Sequence, residues 1–202
     1  MQKLIPTLKS TAITAVSALF LVFILQKLGI WSSVAATTQS VVMYTGALDI
    51  RPGSPDYEAG NRNEFDFDFT LKTTGGEKVR FDEFKGKVIF LNLWATWCGP
   101  CKAEMPGIQK LYEKVDTARV VFVMLSLDKE ESQAKINDYV RKNMFTFPVF
   151  MPSGYLSEQL QVPSIPTTFV IDREGKVALK KVGTANYDTE RFRKYLADLA
   201  KQ

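Results

Sequence analysis

Histidine is absent from this 202-residue chain, and cysteine occurs only twice, as Cys98 and Cys101. Without imidazole there is no histidine base and no histidine metal ligand, and two thiols supply only half of the four ligands that a closed zinc site needs. No metal and no cofactor are therefore expected. Lys102 follows the second cysteine, so the C-x-x-C-H pattern of covalent haem attachment is missing as well. Long runs of like charge are lacking too. The 26 basic and 22 acidic residues are scattered and leave a net charge of +4, which offers no tail for nucleic acid. Internal repeats and low-complexity tracts are also missing, and a 46% hydrophobic content is ordinary for one domain with a real core plus a tail.

What is present begins with a basic tip. MQKLIPTLKS carries Lys3 and Lys9, and Thr11 to Leu25 is an uncharged, apolar run. Continued through Lys27 to Trp31 it gives about 31 Å of helix at 1.5 Å per residue, enough to span a bilayer, with Lys27 and Trp31 suited to the interface. A cleaved signal peptide ending near Val34-Ala35-Ala36 is the competing reading. A second span within Leu28 to Leu48 is diluted by its Ser, Thr and Gln residues. With one span, residues 1–31 form a cytoplasmic tip and a membrane anchor or signal peptide. Residues 32–63 form an exported linker, rich in Pro, Gly and Asn from Asp49 to Asn63, and residues 64–202 form the folded domain.

From Phe65 the pattern is that of an α/β domain. FDFDFTL alternates, TTGGEK supplies a turn and VRF follows, which together predict a β-hairpin. KVIFLNLW (Lys87 to Trp94) and RVVFVMLSL (Arg119 to Leu127) read as strands buried on both faces. Pro100 to Val115 and Ser132 to Asn143 read as helices. TTFVID (Thr167 to Asp172) and Val177 to Val182 flank a tight turn. Asp188 is the expected cap of a last helix that places Phe192, Tyr195, Leu196 and Leu199 on one face. The order β-β-β-α-β-α-β-β-α predicts a mixed sheet with helices on its faces.

The two cysteines lie in WATWCGPCKAEMP, directly after a buried strand. Pro100 opens a helix there, so Cys98 sits where unpaired backbone N–H groups and the helix dipole favour a thiolate. Cys101, one turn on, is placed to attack a mixed disulfide formed at Cys98. A ring this small ties no distant parts of the chain together, so the pair reads as redox-active rather than as a staple.

WCGPC after an apolar strand resembles the thioredoxin superfamily, and NLWATWCGPCKAEMP is similar to its exported or membrane-tethered proteins of the TlpA/ResA type. The likeness runs from about Phe65 to Gln202. FTLKTTGGEKVRFDEFKGK matches the extra N-terminal hairpin of that group. Pro106 matches the proline that kinks its active-site helix, and SIPTTFVIDREGKV matches the segment holding its cis-proline. The resemblance implies a thioredoxin-like mixed sheet flanked by helices, and a Cys98–Cys101 redox disulfide. It further implies a cis Pro166 beside the dithiol, an Ile165 backbone that pairs with an extended substrate, and a Glu104 that handles the dithiol's protons. For Glu104 the plainer reading is an acidic residue that favours a helix N-terminus. Asn92 stands where cytosolic thioredoxin has a buried aspartate, which shifts proton handling toward Glu104. Trp94 and Trp97 read as packing, with Trp97 able to shape a substrate surface.

The implied activity is thiol–disulfide exchange, in the direction of reducing a disulfide-containing envelope client such as an apocytochrome, with electrons from a membrane donor protein. The Gly-Pro dipeptide is that of reducing thioredoxins, whose potentials lie near about −270 mV. Two alternatives stand beside it. A thiol peroxidase of peroxiredoxin type would usually show T-x-x-C, whereas Thr96-Trp97-Cys98 has one intervening residue. A non-catalytic binding or copper-assembly module would usually bring a histidine and C-x-x-x-C.

Overall fold

The computed structural model describes Asp49 and residues 64–202. The expected membrane segment, and the linker apart from Asp49, lie outside those residues. Among the described residues no helix is long and apolar enough to cross a membrane.

Seven strands form one sheet in the order β2-β1-β5-β4-β3-β6-β7. They are β1 (Thr70–Thr73), β2 (Lys78–Arg80), β3 (Val88–Trp94), β4 (Val120–Ser126), β5 (Val149–Pro152), β6 (Thr167–Ile171) and β7 (Val177–Val182). The helices are α1 (Gly99–Lys114), α2 (Gln133–Lys142) and α3 (Glu190–Leu199). β3, β4 and β5 run parallel, and the remaining pairings are antiparallel, so the sheet is mixed as expected. β5 is the strand that the sequence reading lacks. It has only four residues, bracketed by Pro148 and Pro152, and pairs with β4 over two positions. So short a run has no periodicity of its own.

Side chains alternate across a strand, and β3 shows what that does here. Ile89, Leu91 and Leu93 belong to one buried cluster, while Val88, Phe90 and Trp94 belong to another. The second cluster holds buried residues from all three helices, among them Met105, Ile108, Ile136, Phe192 and Leu196. That common face follows from topology. Two successive right-handed crossovers, β3-α1-β4 and β4-α2-β5, step in one direction and lay both helices on one side.

The opposite face has no α-helix in its cluster. Phe65, Phe67 and Phe69 bury themselves there, but the strand begins only at Thr70. Their alternation is therefore realised by an irregular segment laid over the sheet. Phe81, from a one-turn helix at Phe81–Phe84, stacks on Phe69 with centroids 4.5 Å apart, and Phe65 meets Phe169 edge-on. Gly175, in the turn between β6 and β7, has φ +83°, and a Cβ there would stand 3.1 Å from the Phe67 ring. Conformation and space both call for glycine at that position.

The last helix is capped one residue later than expected. Thr189 Oγ1 accepts from the Phe192 amide at 3.1 Å. The Asp188 carboxylate instead accepts from Lys114 and Arg193, each at 2.7 Å. Two cations hold that carboxylate, and the capping bond falls to Thr189.

Candidate active site

β3 ends at Trp94, and a tight turn delivers Cys98 to the N-cap of α1. The pair is a disulfide in this structure, with Cα atoms 5.3 Å apart. Cys98 Sγ accepts from the Cys101 amide at 3.1 Å, so the sulfur faces the open end of the helix. Cys98 retains 5% exposure and Cys101 none, which leaves Cys98 as the more accessible sulfur.

The Ile165–Pro166 peptide bond is cis. The Ile165 carbonyl oxygen lies 3.8 Å from Cys98 Sγ, so the two predicted segments meet although 67 residues separate them. Trp97 stands out beside them, 65% exposed. Pro106 falls inside α1, as read from the sequence.

Glu104 lies one turn beyond Cys101 and is fully buried. Its Oε1 accepts from Asn92 Nδ2 at 2.8 Å and its Oε2 from the Ala185 amide at 3.2 Å. Burial pushes its pKa up to about 8, outweighing these two bonds, which pull the other way. Asn92 also donates to Thr168 Oγ1 at 2.9 Å. Tyr187 Oη lies 2.6 Å from the same Thr168 oxygen.

Sequence reasoning missed Thr168, Tyr187 and Asp128. Thr168 sits directly opposite Asn92 in the β3–β6 ladder, a register that the sequence does not display. Asp128, just past β4, is buried and accepts three bonds. They come from the Thr96 amide at 2.7 Å, the Thr96 hydroxyl at 2.6 Å and the Ser126 hydroxyl at 2.7 Å. It thereby pins the turn that carries Cys98 to the end of β4. Among the described residues no group of His, Cys, Asp or Glu could hold a metal ion.

The model of the AhpC/TSA family matches residues 66–180, more than half of the chain. The chain belongs to that family. The chain is 35% identical over 117 residues to the thioredoxin-like protein YneN of Bacillus subtilis, covering 58% of this chain and 69% of that one. It is 35% identical over 116 residues to the thiol-disulfide oxidoreductase ResA of Bacillus cereus, covering 57% of this chain and 66% of that one. Among solved structures, StoA from Bacillus subtilis superposes with a TM-score of 0.51 at 29% identity, over 66% of this chain and 93% of that one. With the Cys98–Cys101 pair in place, this AhpC/TSA member is a thioredoxin-like thiol–disulfide oxidoreductase. The family's thioredoxin-like sheet explains why a strand, a tight turn and a helix N-terminus meet at its dithiol.

Proposed function

We propose that this protein is a reductant of envelope client disulfides, held at the membrane by residues 1–31 and working in an exported compartment. Cys98 attacks one sulfur of the client disulfide, and the client's other sulfur leaves as a thiolate and takes a proton from solvent. Glu104 then takes the proton of Cys101, whose sulfur attacks Cys98 Sγ and expels the client's second sulfur as a thiolate. The client has gained two electrons, and the protein is left as the Cys98–Cys101 disulfide. A dithiol on a membrane donor protein restores it.

One observation carries this reading: a fully buried carboxyl one helical turn past Cys101 whose pKa, raised to about 8, stands near that of a thiol, so that its ionised fraction can accept a thiol's proton. A thiol ordinarily titrates near about 8.5, so acid and base are matched and the proton moves with little uphill cost. The Ile165 backbone, 3.8 Å from Cys98 Sγ, supports a client strand laid along the 165–166 loop, with Trp97 and Pro166 flanking it. The basic tip and apolar run of residues 3–31 support anchorage with the domain outside.

The test is the equilibrium potential of the full chain, by thiol trapping across redox buffers. A value below about −240 mV is expected of a reductant, and one near about −120 mV would make it an oxidant. Rapid peroxide consumption coupled to oxidation of Cys98 would replace this reading with that of a peroxidase.

A further inference from the structure

Glu104 belongs to a buried chain of four side chains whose far end the exchange reaction does not use. Asn92, Glu104, Thr168 and Tyr187 are all fully buried. Asn92 Nδ2 makes both of the amide's bonds, to Glu104 Oε1 at 2.8 Å and to Thr168 Oγ1 at 2.9 Å. Asn92 Oδ1, equally buried, has no partner. A buried amide held by one end alone needs an explanation.

With Nδ2 and the Ala185 amide aimed at it, the carboxyl meets only donors, a pattern suited to the ionised form. Protonation on Oε1 with the O–H directed at Asn92 Nδ2 sets two donors face to face. A half-turn of the Asn92 amide removes the conflict. Oδ1 would then accept from Glu104 and from the Thr168 hydroxyl, and Nδ2 would take the unpartnered place. In either orientation one end of the amide lacks a partner. Hydroxyl protons rotate, and the 2.6 Å contact between Thr168 and Tyr187 carries a bond in either direction. Thr168 donates to Tyr187 when Asn92 donates to Thr168. It accepts from Tyr187 when it must itself donate to Asn92.

We propose that Thr168 and Tyr187 are positioning residues for the proton of Glu104, their hydroxyls reversing together with the Asn92 amide as that proton arrives or leaves. The inference rests on the reading of Glu104 as the dithiol's proton acceptor, and it adds the groups that set its affinity. The proton received from the Cys101 thiol comes to rest on Glu104 Oε1, and no other bond to hydrogen is broken. The groups bonded to Glu104 are Asn92 from β3 and the Ala185 amide from the loop after β7; Thr168 from β6 and then Tyr187 from that loop follow beyond Asn92. Its shift has no contribution from a charged side chain among the described residues.

Tyr187→Phe distinguishes the two arrangements. Without the tyrosine oxygen, Thr168 has no acceptor for its own proton when Glu104 is ionised. With Glu104 protonated, Thr168 loses only an incoming donor. The substitution therefore favours the protonated form.

The test uses the full chain in its disulfide form, so that no thiol titrates. Difference infrared spectroscopy follows the Glu104 carboxyl, assigned with Glu104→Gln, while NMR follows the side-chain amide of Asn92. In the unaltered protein the two signals should share one midpoint. Tyr187→Phe should raise the proton affinity of Glu104 roughly fivefold, the effect of one hydrogen bond. An Asn92 signal indifferent to Glu104's titration, or a Tyr187→Phe midpoint equal to that of the unaltered protein, overturns the proposal. The first comparison needs no variant, so misfolding of Tyr187→Phe cannot shelter the idea. Exchange kinetics separate it from the reading beneath it: Glu104→Gln with an unchanged resolving step would remove Glu104 as the dithiol's base, whatever Tyr187 does.

Discussion

The two faces of the sheet share the same central strands and do different work. On one, Phe65, Phe67, Phe69, Phe81 and Phe169 pack against Ile89, Leu91 and Leu93 with no α-helix in the cluster. On the other, the helices cover Phe90, Trp94 and the dithiol, and the same strand that supplies Phe90 also supplies Asn92 to Glu104. A one-residue alternation along β3 thus separates a hydrocarbon wall from a face that holds a buried, proton-binding carboxyl. Damage to the wall should lower stability and spare the chemistry. Removal of the reacting sulfur on the helix face should do the reverse.

The sharpest contrast is Cys98→Ser, which should abolish disulfide exchange while changing the melting temperature little. It is checked by turnover of a model disulfide and by calorimetry. Phe81→Ala is its counterpart on the other face. Loss of a fully buried ring stacked on Phe69 should destabilise by about 3–5 kcal/mol in denaturant titration, with exchange per folded molecule unchanged. Equal loss of exchange in both variants would erase the distinction between the faces.

The pH dependence of stability sharpens it further. Glu104 binds its proton more tightly in the fold than in the unfolded chain, so between pH about 4.5 and about 8 the folded protein holds a proton that the unfolded chain has released. Its contribution is complete below pH 4.5 and is lost as pH rises through 8, a fall on the order of a few kcal/mol. Denaturant midpoints across that range should show the fall, and Glu104→Gln should remove it. Asp128→Asn should cost about 1–3 kcal/mol, because one of its three incoming donors would meet an amide N–H. It should also slow exchange by loosening the turn before Cys98. Trp97→Ala should alter stability by no more than about 0.5 kcal/mol and show itself as a higher KM for a protein client.

Much of the helix face was legible in the sequence because its signals are local. A proline after CG, a cysteine pair three apart and a glutamate one turn on all lie at the start of one helix, and Pro166 was readable only through the family likeness of its segment. The partners of Glu104 were not. Asn92 meets Thr168 through the register of two antiparallel strands 76 residues apart, and Tyr187 joins them from a loop with no periodic pattern. β5 was hidden for a related reason: its identity as a strand rests on neighbours on both sides rather than on its own four residues. The phenylalanine alternation from Phe65 to Phe69 predicted burial correctly and overstated the strand, since an extended segment can bury every second side chain without ladder pairing.

The central claim is that Glu104 takes the proton of Cys101 during resolution, and one experiment isolates that step. The mixed disulfide at Cys98 is formed with a model client on the full chain, and its release by Cys101 is timed at pH 7 with glutamate or glutamine at position 104. Release should be roughly a hundredfold slower in Glu104→Gln, while the first attack by Cys98 keeps its rate. Equal rates of release in the two proteins would contradict the account.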